Sequence, residues 1–556
     1  MLELKHLGAV LLAACMLSGC APRRPGEVPA LVQAHDARAA VVQTDAGPVR
    51  GVASAHGKVF LGIPFAAPPV GALRFRAPQP VPAWKDVRDA THAGPACLPR
   101  YRIGRTHVSE DCLTLNIYAP PGPAPAHPRA VMVWIYGGAL ELGSNADYDL
   151  SALAARQDVI VVAPNYRLGV FGFLAHPGLR GEGEGAYALL DQQAALRWVQ
   201  RNIAGFGGDA HNVSVFGESA GAWSICYQLA SPTAKGLFQR AILQSGSCLA
   251  ADSSVTHDEA EHGGVRMAQA LGCTHTADVA ACLRALPADA LADATPQRRG
   301  LTGRDAWAPM AGGDVLPLPP AQAIASAQHA QVPVLIGNNR DEGRLFAQLL
   351  SYLGKLTSRS GYEARIQRMH ASAAPIMAQY ADVATHSRWE AFADIVTDGG
   401  FACPTRRLGQ ALRTHAPVYA YEFDDPQAPY GLLRLPFSPA LGAFHASELV
   451  YLFQRPWVLS GDPQFSPAQQ AFSDTLQDYW GAFARTGDPN GHGRPQWPRF
   501  DGQTPLTLSP ARIGATPDFM QRHRCGFWDA QTRAATANVP SPSQQHQPDV
   551  THAAQR

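Results

Sequence analysis

The chain has 556 residues, with 46 lysines and arginines against 45 aspartates and glutamates, so its formal net charge is +1. This balance argues against nucleic acid or an anionic membrane surface as the main partner, because such partners are bound through concentrated positive charge. A chain of this length can bury a core large enough for an enzyme, and large α/β enzymes often keep one continuous sheet over such a span.

The N-terminus is typical of an export signal. A short apolar run covers residues 7–19, too short to span a bilayer comfortably, and ends in the sequence LSGC at Cys20. We therefore predict a lipoprotein-type signal peptide over residues 1–19, with Cys20 lipidated as the mature N-terminus. A plain secretory signal with a chance cysteine is the alternative. Both interpretations place the chain in the periplasm or at the outer membrane, where disulfides are permitted.

Two further segments are predicted to lie outside the folded domain. Residues 20–42 combine prolines with small and charged residues, which is typical of a linker. Residues 531–556 are rich in proline, serine and glutamine, which predicts a disordered tail. The domain is therefore expected over residues 43–530.

Apolar β-prone runs alternate with helical patterns along this domain. In chain order we predict strands at 131–136 and 159–163, a helix at 188–203, a strand at 213–216, a helix at 220–229, and strands at 241–244 and 332–336. Such alternation predicts an α/β fold with a large, mostly parallel central sheet and helices on both faces. In folds of this kind the functional residues lie at the carboxyl ends of the strands.

The sequence GESAG at residues 217–221 lies between a predicted strand and a predicted helix. The pattern G-x-S-x-G is weak evidence by itself, and it gains weight from this strand–turn–helix context. Gly217 and Gly221 lack a Cβ, which allows a tight turn that exposes the hydroxyl of Ser219. We interpret Ser219 as a nucleophile rather than as an incidental serine in a glycine-rich turn.

A serine hydroxyl needs a base, and the base needs an orienting carboxylate. In hydrolases with this motif the acid and then the histidine follow the serine. Asp341 and Glu342 follow the strand at 332–336, and eight histidines lie downstream of them. The pattern alone does not choose between the two acids or among the histidines. His445 lies among small residues in a predicted loop, and the other seven are interpreted as surface histidines.

The oxyanion of a reacting ester needs N–H donors that are already in place. Residues 136–139, with the sequence YGGA, follow the strand at 131–136, where a glycine-rich oxyanion loop is expected. The backbone N–H groups of Gly138, Ala139 and Ala220 are the predicted donors. The alternative is a simple turn at the end of a strand.

These motifs together resemble the type-B carboxylesterase/lipase family of the α/β-hydrolase superfamily, here as a bacterial exported member. The resemblance covers the chain from about residue 43 to 530. Its motifs appear in family order as EDCLTLN (110–116), NYRLG (165–169), FGGD (206–209), GESAG (217–221), QSG (244–246), DEG (341–343) and TGDPN (486–490). The resemblance implies a serine hydrolase that cleaves carboxylic esters through an acyl-enzyme, without a metal or an organic cofactor.

The resemblance also implies roles for individual residues. Ser219 is the implied nucleophile, His445 the base and Glu342, rather than Asp341, the orienting acid. Gly138, Ala139 and Ala220 are the implied oxyanion donors, and Glu218 and Ser245 are implied neighbours of the histidine.

The family pattern further implies the disulfides Cys97–Cys112, Cys273–Cys282 and Cys403–Cys525. Cys226 and Cys248 remain, either as buried free thiols or as a fourth bridge that the sequence does not reveal.

Two departures from the family pattern bear on the substrate. Trp223 is bulky where some members carry a small residue, so it either narrows the pocket or packs in the interior. The segment between Cys97 and Cys112 lacks the tryptophan with which cholinesterases bind a quaternary ammonium, which disfavours choline esters. The alternatives left open are a lipase, a carbamate or amide hydrolase on the same site, and a non-catalytic cholinesterase-like binding module.

Overall fold

The computed structural model describes residues 38–537, except 100–106, 124–125, 182, 251–254, 275–277, 295–306, 353, 355, 357, 371, 431–438 and 456–462. The predicted signal peptide, Cys20 and residues 538–556 of the predicted tail therefore lie outside the described residues. No helix within the described ranges is both long enough and apolar enough to cross a membrane.

A large sheet organises the described part of the chain. The strands are β1 (Arg38–Gln43), β2 (Pro48–Ser54), β3 (Gly57–Pro64), β4 (Arg88–Asp89), β5 (Ala96–Cys97), β6 (Val108–Ser109), β7 (Thr114–Ala119), β8 (Arg129–Ile135), β9 (Ile160–Pro164), β10 (Gly208–Glu218), β11 (Arg240–Gln244), β12 (Val255–Thr256), β13 (Met310–Ala311), β14 (Val334–Asn339), β15 (Val418–Phe423), β16 (Leu506–Leu508) and β17 (Ile513–Ala515). The order in the large sheet is β1-β2-β3-β7-β9-β8-β10-β11-β14-β15-β16-β17, with β4 beside β2.

Neighbouring strands from β9 to β16 in this order are parallel, and the pairs at both ends are antiparallel. Strands β5 and β6 form one small separate sheet, and β12 and β13 form another. The prediction of a mostly parallel central sheet is confirmed.

Helices pack around this sheet. They are α1 (Ser151–Gln157), α2 (Gly169–Phe173), α3 (Tyr187–Asn202), α4 (Ala220–Ala230), α5 (His257–Ala270), α6 (Val279–Ala285), α7 (Ala288–Asp293), α8 (Pro320–Ala325), α9 (Gly343–Tyr352), α10 (Arg359–Met369), α11 (Ala373–Gln379), α12 (Ala381–His386), α13 (Arg388–Val396), α14 (Cys403–Leu412), α15 (Leu449–Phe453), α16 (Pro467–Thr486), α17 (Phe519–Arg522) and α18 (Cys525–Ala537). A single π-helical turn, Thr397–Ala402, joins α13 to α14.

The central strands form where the sequence has continuous apolar runs. Every residue of β9, and every residue of β8 after Arg129, is buried. Strands that are covered on both faces need apolar side chains at successive positions, which explains why these runs do not alternate with polar residues. Strand β10 begins at Gly208, five positions before the predicted strand. It pairs with β8 at Gly208 and again from Val213, with a register shift between the two.

The edges of the domain differ from the prediction at both ends. Strand β1 begins at Arg38, inside the segment 20–42 that was expected to be a linker, and it pairs along its whole length with β2. Helix α18 continues to Ala537, past the expected domain end at residue 530. The prolines and polar residues that predicted a linker and a tail therefore lie beyond these elements.

Four disulfides link the described segments. They include the three pairs that the family pattern implied, Cys97–Cys112, Cys273–Cys282 and Cys403–Cys525. The fourth joins Cys226 of α4 to Cys248 after β11, so these two cysteines are not free thiols. Their Cα atoms lie 5.7 Å apart although 22 positions separate them in sequence, because α4 packs beside β11.

Candidate active site

The turn between β10 and α4 holds Ser219 in an uncommon backbone conformation. Its φ of 56° and ψ of −122° are rare for a residue with a side chain, and such strain persists only where the surroundings enforce it. The N–H of Ser219 donates to the carbonyl of Gln244 (2.9 Å), and its carbonyl accepts from the N–H of Trp223 (3.0 Å). Hydrogen bonds to β11 and within α4 therefore fix the backbone of this residue.

The two glycines of GESAG are required by close packing against β8. A Cβ at Gly221 would lie 1.9 Å from the carbonyl oxygen of Ile135, and one at Gly217 would lie 2.5 Å from the same oxygen. Any side chain at either position would displace the turn or the strand.

The structure distinguishes between the two candidate acids after β14. Glu342 is fully buried, and its Oε2 lies 2.6 Å from Nδ1 of His445, while its Oε1 accepts from the N–H of Asn339 (2.7 Å). Asp341 instead exchanges two 2.9 Å hydrogen bonds with the backbone of Ala443. Glu342 thus contacts the imidazole, and Asp341 holds the loop that carries it.

His445 lies in a buried loop before α15. Its Nε2 lies 3.1 Å from Oε1 of Glu218, the residue immediately before Ser219. The rings of Phe346 and Phe401 lie against the imidazole, with centroid distances of 5.0 and 4.9 Å. The imidazole is therefore directed towards Glu342 through Nδ1 and towards the serine turn through Nε2.

Glu448 is a member of this cluster that the sequence did not single out. It is fully buried, and its carboxylate accepts from Asn339 Nδ2 (2.7 Å) and Gln244 Nε2 (3.0 Å). Its position three residues after His445 was visible in the sequence. Its partners at the ends of β11 and β14 were not, because they lie more than 100 residues away along the chain.

Burial and like charge govern the protonation of this cluster. Burial raises the pKa of Glu218 to about 8, although the positive charge of His445 acts to lower it. Burial also raises the pKa of Glu448, to about 7. For His445, burial alone would lower the pKa, but the carboxylates of Glu218 and Glu342 outweigh it and raise the pKa to about 9. Glu218, His445 and Glu448 therefore titrate together, and a proton lost from the cluster cannot be assigned to one of them alone.

The loop after β8 lies directly against the serine turn. A Cβ at Gly137 would lie 2.9 Å from the carbonyl oxygen of Glu218 and 3.1 Å from Cβ of Ser219. Gly138 and Ala139 are half-buried and have positive φ values of 111° and 57°. The structure thus places both predicted oxyanion residues in the loop that packs against Ser219, and Ala220 follows Ser219 at the start of α4.

Ser245 and Trp223 lie close to the serine turn. Ser245 is fully buried with a φ of 55°, and its Oγ has no hydrogen-bond partner among the described residues. A Cβ at Gly246 would lie 2.6 Å from the carbonyl oxygen of Ser219 and 3.1 Å from Cδ1 of Trp223. The half-buried indole of Trp223 therefore lies next to the nucleophile candidate rather than deep in the core.

Known proteins are similar to this chain in sequence. The model of the family described as "Carboxylesterase family" matches residues 38–528. The para-nitrobenzyl esterase of Bacillus subtilis (strain 168) is 37% identical over 489 residues, which cover 84% of this chain and 94% of that protein. The cocaine esterase of Oryctolagus cuniculus is 34% identical and covers 89% of this chain and 96% of its own length.

The acetylcholinesterase of Bungarus fasciatus is also 34% identical, covering 88% of this chain and 86% of that enzyme. Since the family model spans nearly all of the described chain and the relatives match over most of their own lengths, the chain belongs to the carboxylesterase family and is a carboxylic ester hydrolase.

Proposed function

We propose that Ser219, His445 and Glu342 are the catalytic triad of this esterase. The observation that carries the proposal is the orientation of His445, whose Nδ1 is 2.6 Å from Glu342 while its Nε2 is directed at the turn that holds Ser219. A histidine held in this way has Nδ1 fixed by a carboxylate, and Nε2, which lies 3.1 Å from Glu218, accepts the serine proton when the imidazole is neutral.

The proposed reaction has two stages. Oγ of Ser219 attacks the ester carbonyl as His445 accepts its proton, and Glu342 stabilises the imidazolium that forms. The backbone N–H groups of Gly138, Ala139 and Ala220 stabilise the oxyanion. The alcohol leaves with the proton from His445, and a water activated by the same imidazole then hydrolyses the acyl-enzyme.

Replacing the serine tests this assignment. We expect Ser219→Ala to lower kcat for p-nitrophenyl acetate by at least ~10⁴-fold and to abolish labelling by a fluorophosphonate probe, because the covalent step is lost. Ser224→Ala is a matched control, since Ser224 is a buried serine of the same helix whose Oγ has no hydrogen-bond partner among the described residues. Full activity in Ser219→Ala would disprove the triad.

We also propose that the mature protein is anchored to a membrane through a lipid on Cys20. The four disulfides are typical of a protein that folds outside the cytoplasm, and the sequence LSGC at Cys20 supports processing as a lipoprotein. Wild-type protein is expected in the detergent phase of a Triton X-114 partition, and Cys20→Ser in the aqueous phase. Equal partition of the two forms would contradict the proposal.

A further inference from the structure

A second cluster of ligand-type side chains lies at the start of α5. His257 is the first residue of this helix and Glu261 lies four positions later, so both side chains are on the same face of the helix. Glu184, which precedes α3, completes the cluster. Nε2 of His257 is 3.7 Å from Oε2 of Glu184 and 3.8 Å from Oε1 of Glu261.

Glu184 is directed into this cluster from the interior. Its side chain is only 7% exposed, and its Oε1 accepts from the N–H of His176 (2.9 Å). Oε2 is turned towards His257 and Glu261, so the carboxyl groups of Glu184 and Glu261 are in contact with each other. Two carboxylates in contact need a cation or a proton to compensate their charge.

Arg180 only partly supplies that compensation. Its guanidinium donates to both oxygens of Glu261 at 2.6 and 2.7 Å, so these hydrogen bonds compensate only one of the two carboxylates. The side chain of Arg180 is 61% exposed, which lets it move away at little cost. A cavity of about 190 Å³, lined by Arg180, Glu184, His257 and the exposed Asp314, opens beside the cluster and has room for the waters of a bound ion.

We propose that Glu184, His257 and Glu261 form a binding site for a divalent transition-metal ion, for which Zn²⁺ is the best fit. One imidazole and two carboxylates are a ligand set that Zn²⁺ accepts, whereas Ca²⁺ requires six or more oxygen ligands. Two ligands of a tetrahedral ion at about 2.1 Å lie about 3.4 Å apart. The two distances from His257, 3.7 and 3.8 Å, need to close by only a few tenths of an ångström, and all three ligand atoms lie within 4.8 Å of one another.

The local backbone supports this geometry. A capping box, in which the side chains of Thr256 and Glu259 bond to each other's backbone N–H groups, fixes the first turn of α5. His257 and Glu261 are therefore presented by a helix whose start is well defined, and the hydrogen bond from His176 orients the third ligand. A bound ion would link the first turn of α5 to the segment before α3.

Calorimetric titration of Zn²⁺ into chelator-treated, tag-free enzyme tests the proposal. We expect saturable binding of one ion per chain and a rise in melting temperature. Glu184→Gln and His257→Gln should each weaken the affinity by at least ~10-fold, as expected for loss of a ligand. His262→Gln, which removes an exposed histidine next to Glu261, should bind like wild type.

Arg180→Gln separates a metal site from a simple ion-pair network. Because Arg180 competes with the ion for Glu261, its removal should tighten Zn²⁺ binding. The absence of saturable binding, or an affinity that is unchanged in Glu184→Gln and His257→Gln, would overturn the proposal. Weaker Zn²⁺ binding in Arg180→Gln would also overturn it, because the arginine would then be supporting the site instead of competing for it.

Discussion

Nε2 of His445 lies 3.1 Å from Oε1 of Glu218, while Nδ1 of the same ring lies 2.6 Å from Oε2 of Glu342. The imidazole is thus held between two buried carboxyl groups, only one of which corresponds to the orienting acid of a triad. Because Glu218 directly precedes Ser219, its charge acts on the histidine from the side on which the serine proton is transferred. The pH dependence of the esterase should therefore report on Glu218 as well as on His445.

The first prediction concerns Glu218→Gln. An anionic Glu218 raises the pKa of His445, and a protonated imidazole cannot accept the serine proton. Removal of this charge lowers the pKa of the imidazole. The acidic limb of kcat/KM for p-nitrophenyl acetate should therefore move to lower pH, by about one unit.

Glu448→Gln is the comparison for this experiment. Glu448 also raises the pKa of His445, but it is the weakest of the contributing carboxylates, so its removal should shift the limb less. If the acidic limb of the kcat/KM profile lies at the same pH in Glu218→Gln as in wild type, the charge of Glu218 does not control the pKa of His445.

The second prediction concerns the glycine after the nucleophile. Gly221→Ala places a Cβ 1.9 Å from the carbonyl oxygen of Ile135, so the serine turn and β8 must separate. We expect a loss of stability of about 3 kcal/mol or more, seen as a lower melting temperature, together with a large loss of kcat.

Gly263→Ala is the matched control, because no atom of the described residues lies within 4 Å of a Cβ at this helical glycine. Alanine has the higher helix propensity, so this variant should be as stable as wild type or up to about 1 kcal/mol more stable. Equal melting temperatures for the two variants would show that the turn tolerates a side chain.

The sequence predicted the central strands and the serine turn because both depend on local features. Buried parallel strands need continuous apolar runs, such as those of β8 and β9, and the turn needs its two glycines. The choice between Asp341 and Glu342 was different. Both follow the same strand, so the local pattern left the choice open and only the family resemblance implied Glu342. Contacts with a loop about 100 residues away show that Glu342 reaches His445 and that Asp341 reaches Ala443.

Other features could not be predicted from the sequence, because they too depend on contacts between residues far apart in the chain. Cys226 and Cys248 pair because α4 packs beside β11, which no spacing rule shows. His523 was interpreted, like six other histidines, as a surface residue, yet it is 2% exposed. Its burial depends on Asp398 and Glu422, which lie 125 and 101 positions earlier in the chain.

The third prediction concerns the unexpected disulfide. Joint replacement of Cys226 and Cys248 by alanine opens a bridge between residues 22 positions apart. Loss of this constraint on the unfolded chain should cost about 3 kcal/mol. Removal of the Cys403–Cys525 disulfide, which joins residues 122 positions apart, should cost more, about 5 kcal/mol of stability. Urea titrations under oxidising conditions measure both losses, and a larger loss at the shorter bridge would mean that packing, rather than chain entropy, dominates.

The last prediction concerns stability at alkaline pH and depends on His523. Its Nδ1 lies 2.7 Å from Asp398 and its Nε2 2.6 Å from Glu422. Burial alone would lower the pKa of this imidazole, but its hydrogen bonds and opposite charges with the two carboxylates outweigh burial and raise the pKa to about 10. In the unfolded chain the pKa is about 6.5, so the folded state binds the proton more tightly.

The imidazolium therefore contributes its full stabilisation below about pH 6.5 and loses it as the pH rises through about 10. His523→Gln removes the cation shared by Asp398 and Glu422, which then keep Arg524 (3.5 Å) and Arg522 (2.6 Å) as cationic partners. At pH 6 this variant should therefore be less stable than wild type by about 3 kcal/mol. Thermal melts between pH 6 and 10 should show this gap narrowing as wild type loses its proton. The exposed His386, changed to Gln, should follow wild type throughout. A gap that stays constant over this range would mean that His523 acts through packing and hydrogen bonds without its charge.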